Sequence, residues 1–230
     1  MVKDSIKRKY MRNLYVSDTM AWAPGLGNDQ ALWKEWANGN ASIALTNESP
    51  KLEFTDPLFR RRLSQITKMT VQVIHDLLEK SHFDKETKLV FMSLRGEISR
   101  TFSVTKGLVQ DNMILPAGFS LSVFNTPISS ATLAFGLKGG YSVIYPSMSD
   151  FSQAVKAAVA PVLAGTEKEL VLVYADELVP EAYGDKRPEE NIPLAFASVL
   201  SAEKKASCIA LEDFSDIGKS PSEFLRFLLK

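Results

Sequence analysis

Few residues in this chain are candidates for chemistry, and one turn carries several of them. A stretch beginning GLKG (Gly136–Gly139) passes through the β-rich run YSVIY into PSMSD and then a helix ending at Gly165. A short strand, a sharp turn and a buried helix form a frame on which a nucleophile is presented, and here the turn carries Ser147-Met148-Ser149. Serine needs a base within hydrogen-bond reach to act, and Pro146 and Met148 do not complete a G-x-S-x-G elbow. Ser147, Ser149 or Asp150 therefore reads first as the cap of the following helix. The alternative is a stand-alone acyltransferase or hydrolase using Ser147. His75 and His82 are the only histidines, and with no cluster that combines Cys, His and carboxylates no metal site is expected. Cys208, the single cysteine, reads as a small hydrophobe in an apolar strand. Arg60-Arg61-Arg62 suits an acidic partner or a solvated face. Arg95-Gly96 follows a strand and opens a helix, a place where an anion can sit, but without a run of glycines it reads as a plain turn.

The elements that must position these residues alternate. Leu14–Trp22 reads as a first strand ended by Pro24-Gly25, and Asn28 as the cap of a short helix through Trp36. Asp56-Pro57 is a helix start, with apolar residues recurring at helical spacing to about Glu79. Lys88–Ser93 is a strand and Glu97–Val109 a helix. Phe119–Val123 is extended or turn-like, and Ile128–Leu137 a short helix. Tyr141–Tyr145 is a strand, Ser149–Ala164 a helix, and Glu169–Ala175 the clearest strand. Leu194–Ser201 and Ala206–Leu211 read as final strands in a hairpin, before a terminal helix at 222–229. This is an α/β layered domain with a mixed sheet of five strands and helices on both faces. Residues 1–10 read as a flexible tail and 11–230 as one domain.

The 230 residues carry 27 Lys+Arg and 27 Asp+Glu. Such balance gives no reason to expect nucleic acid or a membrane surface as partner, and no apolar run is long enough to span a bilayer. One cysteine and no apolar leader core make a cytoplasmic location the expectation. The helix FSQAVKAAVAPVLA (Phe151–Ala164) has only Ser152, Gln153 and Lys156 as polar residues, and a helix apolar nearly all round is buried on most sides. A partner, either a second copy or another protein, is expected to cover its outer side; the alternative is cover by the terminal helix.

The order of motifs resembles the N-terminal half of the β-ketoacyl-acyl carrier protein synthases, enzymes of the thiolase fold. The series runs Pro116, Asn125 nine residues on, a short helix, GLKG, YSVIY, and a small-residue helix ending at Gly165. ELVLVYADE then matches the strand ending in the family's G-G-x-E, with Asp176-Glu177 at its end, and PLAFASVLSAE matches a later strand. YVSDTMAWAPG and DPLFRRRLSQITKM resemble the small synthase N-terminal-like proteins that accompany full synthases in aryl polyene-type pathways. The likeness spans about Met11 to Phe214.

The departures shape what the resemblance implies. The family's nucleophilic cysteine falls on Met148, whose thioether cannot hold an acyl thioester. The family's catalytic histidines and lysine belong to a half absent from this sequence. The resemblance therefore implies a thiolase-like half without condensing activity: a chain-length-factor-like subunit of polyene or fatty-acid-type biosynthesis. It would form a heterodimer with a full-length β-ketoacyl synthase, or alternatively a homodimer; the alternative function is a stand-alone acyltransferase or an acyl-carrier-protein-binding module using Ser147. It also implies an acyl-pocket or subunit-contact role for Phe124, Asn125, Phe135, Tyr141, Val143 and Tyr145. Arg60, Arg61 and Arg62 would dock the acyl carrier protein. No cofactor of its own is implied, only a phosphopantetheine-linked acyl chain on that carrier.

Overall fold

The computed structural model describes residues 14–147, 149–184, 191–205, 207–211, 214 and 217–229. The tail at 1–10 and Met148 lie outside the described residues. In chain order the elements are β1 (Leu14–Trp22), α1 (Gln30–Ala37), α2 (Pro57–Arg60), α3 (Gln65–Ser81), β2 (Lys88–Met92), α4 (Ile98–Asp111), α5 (Pro116–Ser120), α6 (Thr126–Phe135), β3 (Tyr141–Ile144), α7 (Phe151–Ala164), β4 (Glu169–Asp176), β5 (Leu194–Ser201), β6 (Ile209–Leu211) and α8 (Pro221–Leu228).

One mixed sheet runs β3-β2-β4-β5-β1-β6. The β3, β2 and β4 strands are parallel, with Met92 opposite both Ile144 and Tyr174. The remaining pairs are antiparallel. The sheet thus has six strands where five were expected. The expected hairpin between the last two strands does not form: β1 inserts between β5 and β6, pairing Tyr15 with both Ser201 and Ala210. Sequence adjacency misleads here because a strand from the far end of the chain supplies the ladder partner.

The sheet alternation sorts the core into two layers. Leu170, Leu172 and Tyr174 of β4 join α1, α7 and α8 on one face. Val171, Val173 and Ala175 join α3 and α6 on the other. The expected partner for α7 is not needed to explain its burial. Phe151, Val155, Ala158, Val159 and Val162 are buried within this layer, where Phe224 of α8 lies 5.9 Å from the Phe151 ring. The outward stripe is made of Gln153, Lys156, Ala157 and Ala160, which are exposed but small or polar. A helix rich in alanine looks apolar all round in sequence while exposing little apolar surface.

Caps account for the helix boundaries. Asp29, rather than Asn28, caps α1, accepting from the N–H groups of Ala31 and Leu32. The helix expected from Pro57 to Glu79 is two: Asp56 caps α2, which ends at Arg60, and Ser64 restarts α3 by accepting from Thr67 N–H. Each cap satisfies donors that a helix start leaves unpaired. The 119–123 stretch, expected to be extended or turn-like, falls partly in α5. Asp150 caps α7, and Ser220 with Glu223 forms a capping box on α8.

Candidate functional site

Because β2, β3 and β4 run parallel, their carboxyl ends open at the same end of the sheet, where open α/β sheets usually place ligands. Three turns meet there: Ser93–Gly96 after β2, Tyr145–Ser147 after β3, and Asp176-Glu177 closing β4.

The first and third turns are welded by buried carboxylates. Asp176 is 2% exposed and accepts from Tyr174 Oη (2.5 Å), Ser93 Oγ (2.8 Å), Leu94 N (2.9 Å) and Arg95 N (3.1 Å). Burial raises its pKa while these donors pull it down. The same burial, with the Asp176 charge alongside, pushes the Tyr174 phenol up. Gly96 N–H is likewise spent on Ser93 Oγ at 2.7 Å. The Arg95-Gly96 turn therefore closes on its own carboxylate and keeps few backbone donors for an anion.

Glu177 is 3% exposed and accepts from Ser99 N at 3.0 Å and Ile66 N at 3.5 Å, tying the starts of α4 and α3 to β4. Burial pushes its pKa to about 7, opposed by the Ser99 N–H and reinforced by the nearby Glu97 charge. Glu97 is 1% exposed; it accepts from Ser64 Oγ at 2.6 Å and from Thr67 Oγ1, and pairs with Arg100 at 3.2 Å. Sequence reading missed this carboxylate pair. Its signal was present, since an acidic residue placed at a helix start beside a strand-end Asp-Glu pair suits orphan N–H groups.

The second turn holds no nucleophilic constellation among the described residues. Ser147 is exposed, and its Oγ lies 2.9 Å from Ser149 Oγ; Asp150, not Ser147, caps the helix. His75 is remote from it, stacked on Phe54 with centroids 3.6 Å apart and bonded to Asp76. His82 is the left-handed C-cap of α3. Cys208 sits half-buried and reduced just before β6 rather than within a strand. No group of three potential metal ligands occurs among the described residues.

The structure gathers four of the six pocket or contact candidates. Asn125 Nδ2 donates to Tyr141 Oη at 2.8 Å. Phe124 lies 6.3 Å from the Tyr145 ring, and its side chain presses on Gly96. There φ is +58°, and an added Cβ would meet the Phe124 ring at 2.7 Å. Val143 is 37% exposed on β3, which ends just before Tyr145. Phe135 is elsewhere, beside Phe54 and His75 at ring distances of 6.2 and 6.0 Å. The three arginines also part company. Arg60 Nη1 donates to the carbonyls of Leu52 and Thr55 at 3.3 and 3.0 Å, leaving Arg61 and Arg62 as the exposed pair.

The edge of β3 is the remaining feature. Leu89 N donates to Gly140 O at 3.1 Å, and a parallel ladder alternates. Gly140, Ser142 and Ile144 therefore turn their backbone groups to β2, while Tyr141 and Val143 turn theirs to the open edge.

A six-stranded mixed sheet with α3 and α6 on one face and α7 on the other, and a strand-turn-helix at its parallel end, defines a β-ketoacyl-synthase-type half of the thiolase fold. The family model described as "Beta-ketoacyl synthase, N-terminal domain" matches residues 33–223, and the chain belongs to that family. Comparison with curated proteins finds no match.

Solved structures carry the same fold. A chain of the ketosynthase ApeO in complex with its chain length factor ApeC from Xenorhabdus doucetiae aligns with a TM-score of 0.76 at 24% identity, covering 94% of this chain and 91% of that one. The ishigamide ketosynthase/chain length factor aligns at 0.63 and 11% identity, covering 85% of this chain and 63% of its own. A chain of the AntDE:AntF complex, a type II PKS acyl-carrier protein in complex with its ketosynthase bound to the hexaketide, aligns at 0.62 and 15% identity, covering 83% of this chain and 63% of that one. No helix among the described residues is long and apolar enough to cross a membrane.

Proposed function

We propose that this chain is a non-catalytic, chain-length-factor-like subunit that pairs through β3 with an active β-ketoacyl synthase in polyene or fatty-acid-type biosynthesis. The observation that carries the reading is the open edge of β3 set in exposed apolar surface. Val143 and Tyr145 are 37% and 63% exposed, and the neighbouring α5–α6 segment exposes Phe119, Val123 and Leu133. An unpaired strand edge flanked by apolar side chains is a template for another strand, and aromatic and aliphatic anchors of this kind suit an interface centre. The near end-to-end match to one chain of a ketosynthase–chain length factor complex supports the same reading.

In this reading the partner supplies the nucleophile and the catalytic half. Phe124, packed between Gly96 and Tyr145, holds the shape of this chain's side of the acyl path. The exposed Arg61 and Arg62 offer guanidinium groups to an acyl carrier protein carrying its phosphopantetheine-linked chain. The cytoplasm is the compartment this role requires. Co-expression with the full-length synthase encoded nearest to it, followed by size-exclusion chromatography with light scattering, tests the proposal. A one-to-one complex is expected; a stable monomer or homodimer that ignores the synthase sinks it.

A further inference from the structure

A cavity of about 340 Å3 opens between the end of α1, the 41–45 segment, the approach to β5 at Ile192, and α8. No residue of β3, α3, α4 or α6 lines it, so it is separate from the three turns at the parallel end of the sheet and from the proposed pairing edge. Ser222 and Arg226 reach it from α8, four positions apart and so on one helical face. Ala41, Ile43, Leu45 and Ile192 supply its apolar wall.

The charge in this lining is a single cation. Arg226 sits over the ring of Trp36, 4.4 Å from its centroid, and Trp36 is 4% exposed. The stacking fixes the guanidinium at the cavity wall. Its one hydrogen bond runs from Nη1 to the Ala37 carbonyl at 3.5 Å, beyond the usual range of a good N–H···O bond. No carboxylate pairs with it among the described residues, and none lines the cavity. Glu223, the acidic residue of the same helix, is committed to its cap: its carboxylate accepts from Lys219 N at 2.6 Å and Ser220 N at 3.3 Å. The lining hydroxyls of Ser42 and Ser222 have no hydrogen-bond partner among the described residues. The Ser222 N–H is also left over, because the Ser220 hydroxyl takes the Glu223 N–H. A guanidinium without a counter-ion and donors without an acceptor therefore stand beside an apolar wall.

We propose that this cavity binds a carboxylate carried on a compact apolar group, the carboxylate on Arg226 and Ser222 and the apolar group against Ile43, Leu45 and Ile192. A carboxylate meets a guanidinium edge with two parallel hydrogen bonds, whereas a cationic ligand would face an unpaired like charge. At about 340 Å3 the cavity lies at the small end of ligand sites, which run roughly 300–1,000 Å3, so a short branched acid fits it. Two sources offer this chemistry: a free small acid, and the last residue of a peptide chain. The inference stands whether or not β3 pairs with a synthase.

Isocaproate and its neutral isostere isocaproamide test it, with N-acetyl-leucine as the peptide-terminus arm. Binding of each is measured by ligand-observed NMR titration at neutral pH on the purified full chain, or on its complex with the synthase if the two co-purify. Isocaproate is expected to bind at least about tenfold tighter than the amide, the contribution of a charge-assisted hydrogen bond. Arg226→Gln is expected to erase that preference. Leu45→Glu, at an exposed position of the rim, places a carboxylate beside Arg226 and is expected to remove isocaproate binding while melting temperature and synthase co-purification stay unchanged. Tighter binding of N-acetyl-leucine than of isocaproate supports the site as one for a peptide terminus, and the reverse order supports it as one for a free acid. Equal affinities for isocaproate and the amide overturn the carboxylate requirement. No binding of any probe, or isocaproate binding that survives Leu45→Glu, overturns the site. Loss of synthase pairing alone bears on the pairing proposal and leaves this one standing.

Discussion

Asn125 and Tyr141 are joined side chain to side chain at 2.8 Å, so the start of α6 is fastened to the first residue of the edge strand. The bond spans 16 positions of sequence and fixes where the open edge of β3 lies relative to Phe124 and Tyr145. Asn125→Leu is expected to leave the sheet intact but misplace this edge. It should cost roughly 1 kcal/mol in denaturant unfolding and weaken synthase co-purification more than overall stability.

Val143→Pro addresses pairing directly. The Val143 N–H faces away from β2, so proline removes an outward donor without taking one from the β2–β3 ladder. The variant is expected to fold, judged by circular dichroism, and to lose co-elution with the synthase. Undiminished co-elution counts against β3 as the contact.

Glu177 predicts a pH dependence. Its pKa is about 7 in the folded chain against 4.5 ordinarily. Between those values the folded state binds more protons than the unfolded one, so stability is fully present below about 4.5 and falls as pH rises through 7. A shift of this size corresponds to at most roughly 3 kcal/mol. Urea midpoints for the wild type should drop from pH 5 to pH 8, and Glu177→Gln should flatten that slope. A flat wild-type profile disproves the assignment.

The arginines separate stability from recognition. Arg60→Ala removes bonds to the Leu52 and Thr55 carbonyls and should lower the melting temperature by a few degrees, roughly 1 kcal/mol. Arg61→Glu with Arg62→Glu should leave melting unchanged while weakening carrier-protein binding, read by titration at low salt.

Ser147 is expected to be inert. Its hydroxyl partner is Ser149, so incubation with an acyl thioester should add no mass to the chain, and Ser147→Ala should leave pairing unaffected. A trapped acyl group lost in Ser147→Ala would reinstate the acyltransferase alternative.

Local chemistry was legible in the sequence. The β4 run ELVLVYAD, the Asp56-Pro57 start and the glycine after Ala164 are each decided by period, cap or backbone freedom, which act over a few residues. The ordered series from Pro116 to Gly165 carried the family. What the sequence left open depends on residues far apart in the chain. The insertion of β1 between β5 and β6 replaced a hairpin because ladder partners are chosen by sheet geometry, not by adjacency. Ser64 broke an apparently continuous apolar period because its hydroxyl satisfies both Thr67 N–H and Glu97. Phe135 left the group it was expected to join because α6 turns it toward Phe54 and His75. The Glu97–Glu177 pair exists only where α3, α4 and β4 converge, since burial, which sets the behaviour of a carboxylate, is a property of the packed molecule alone.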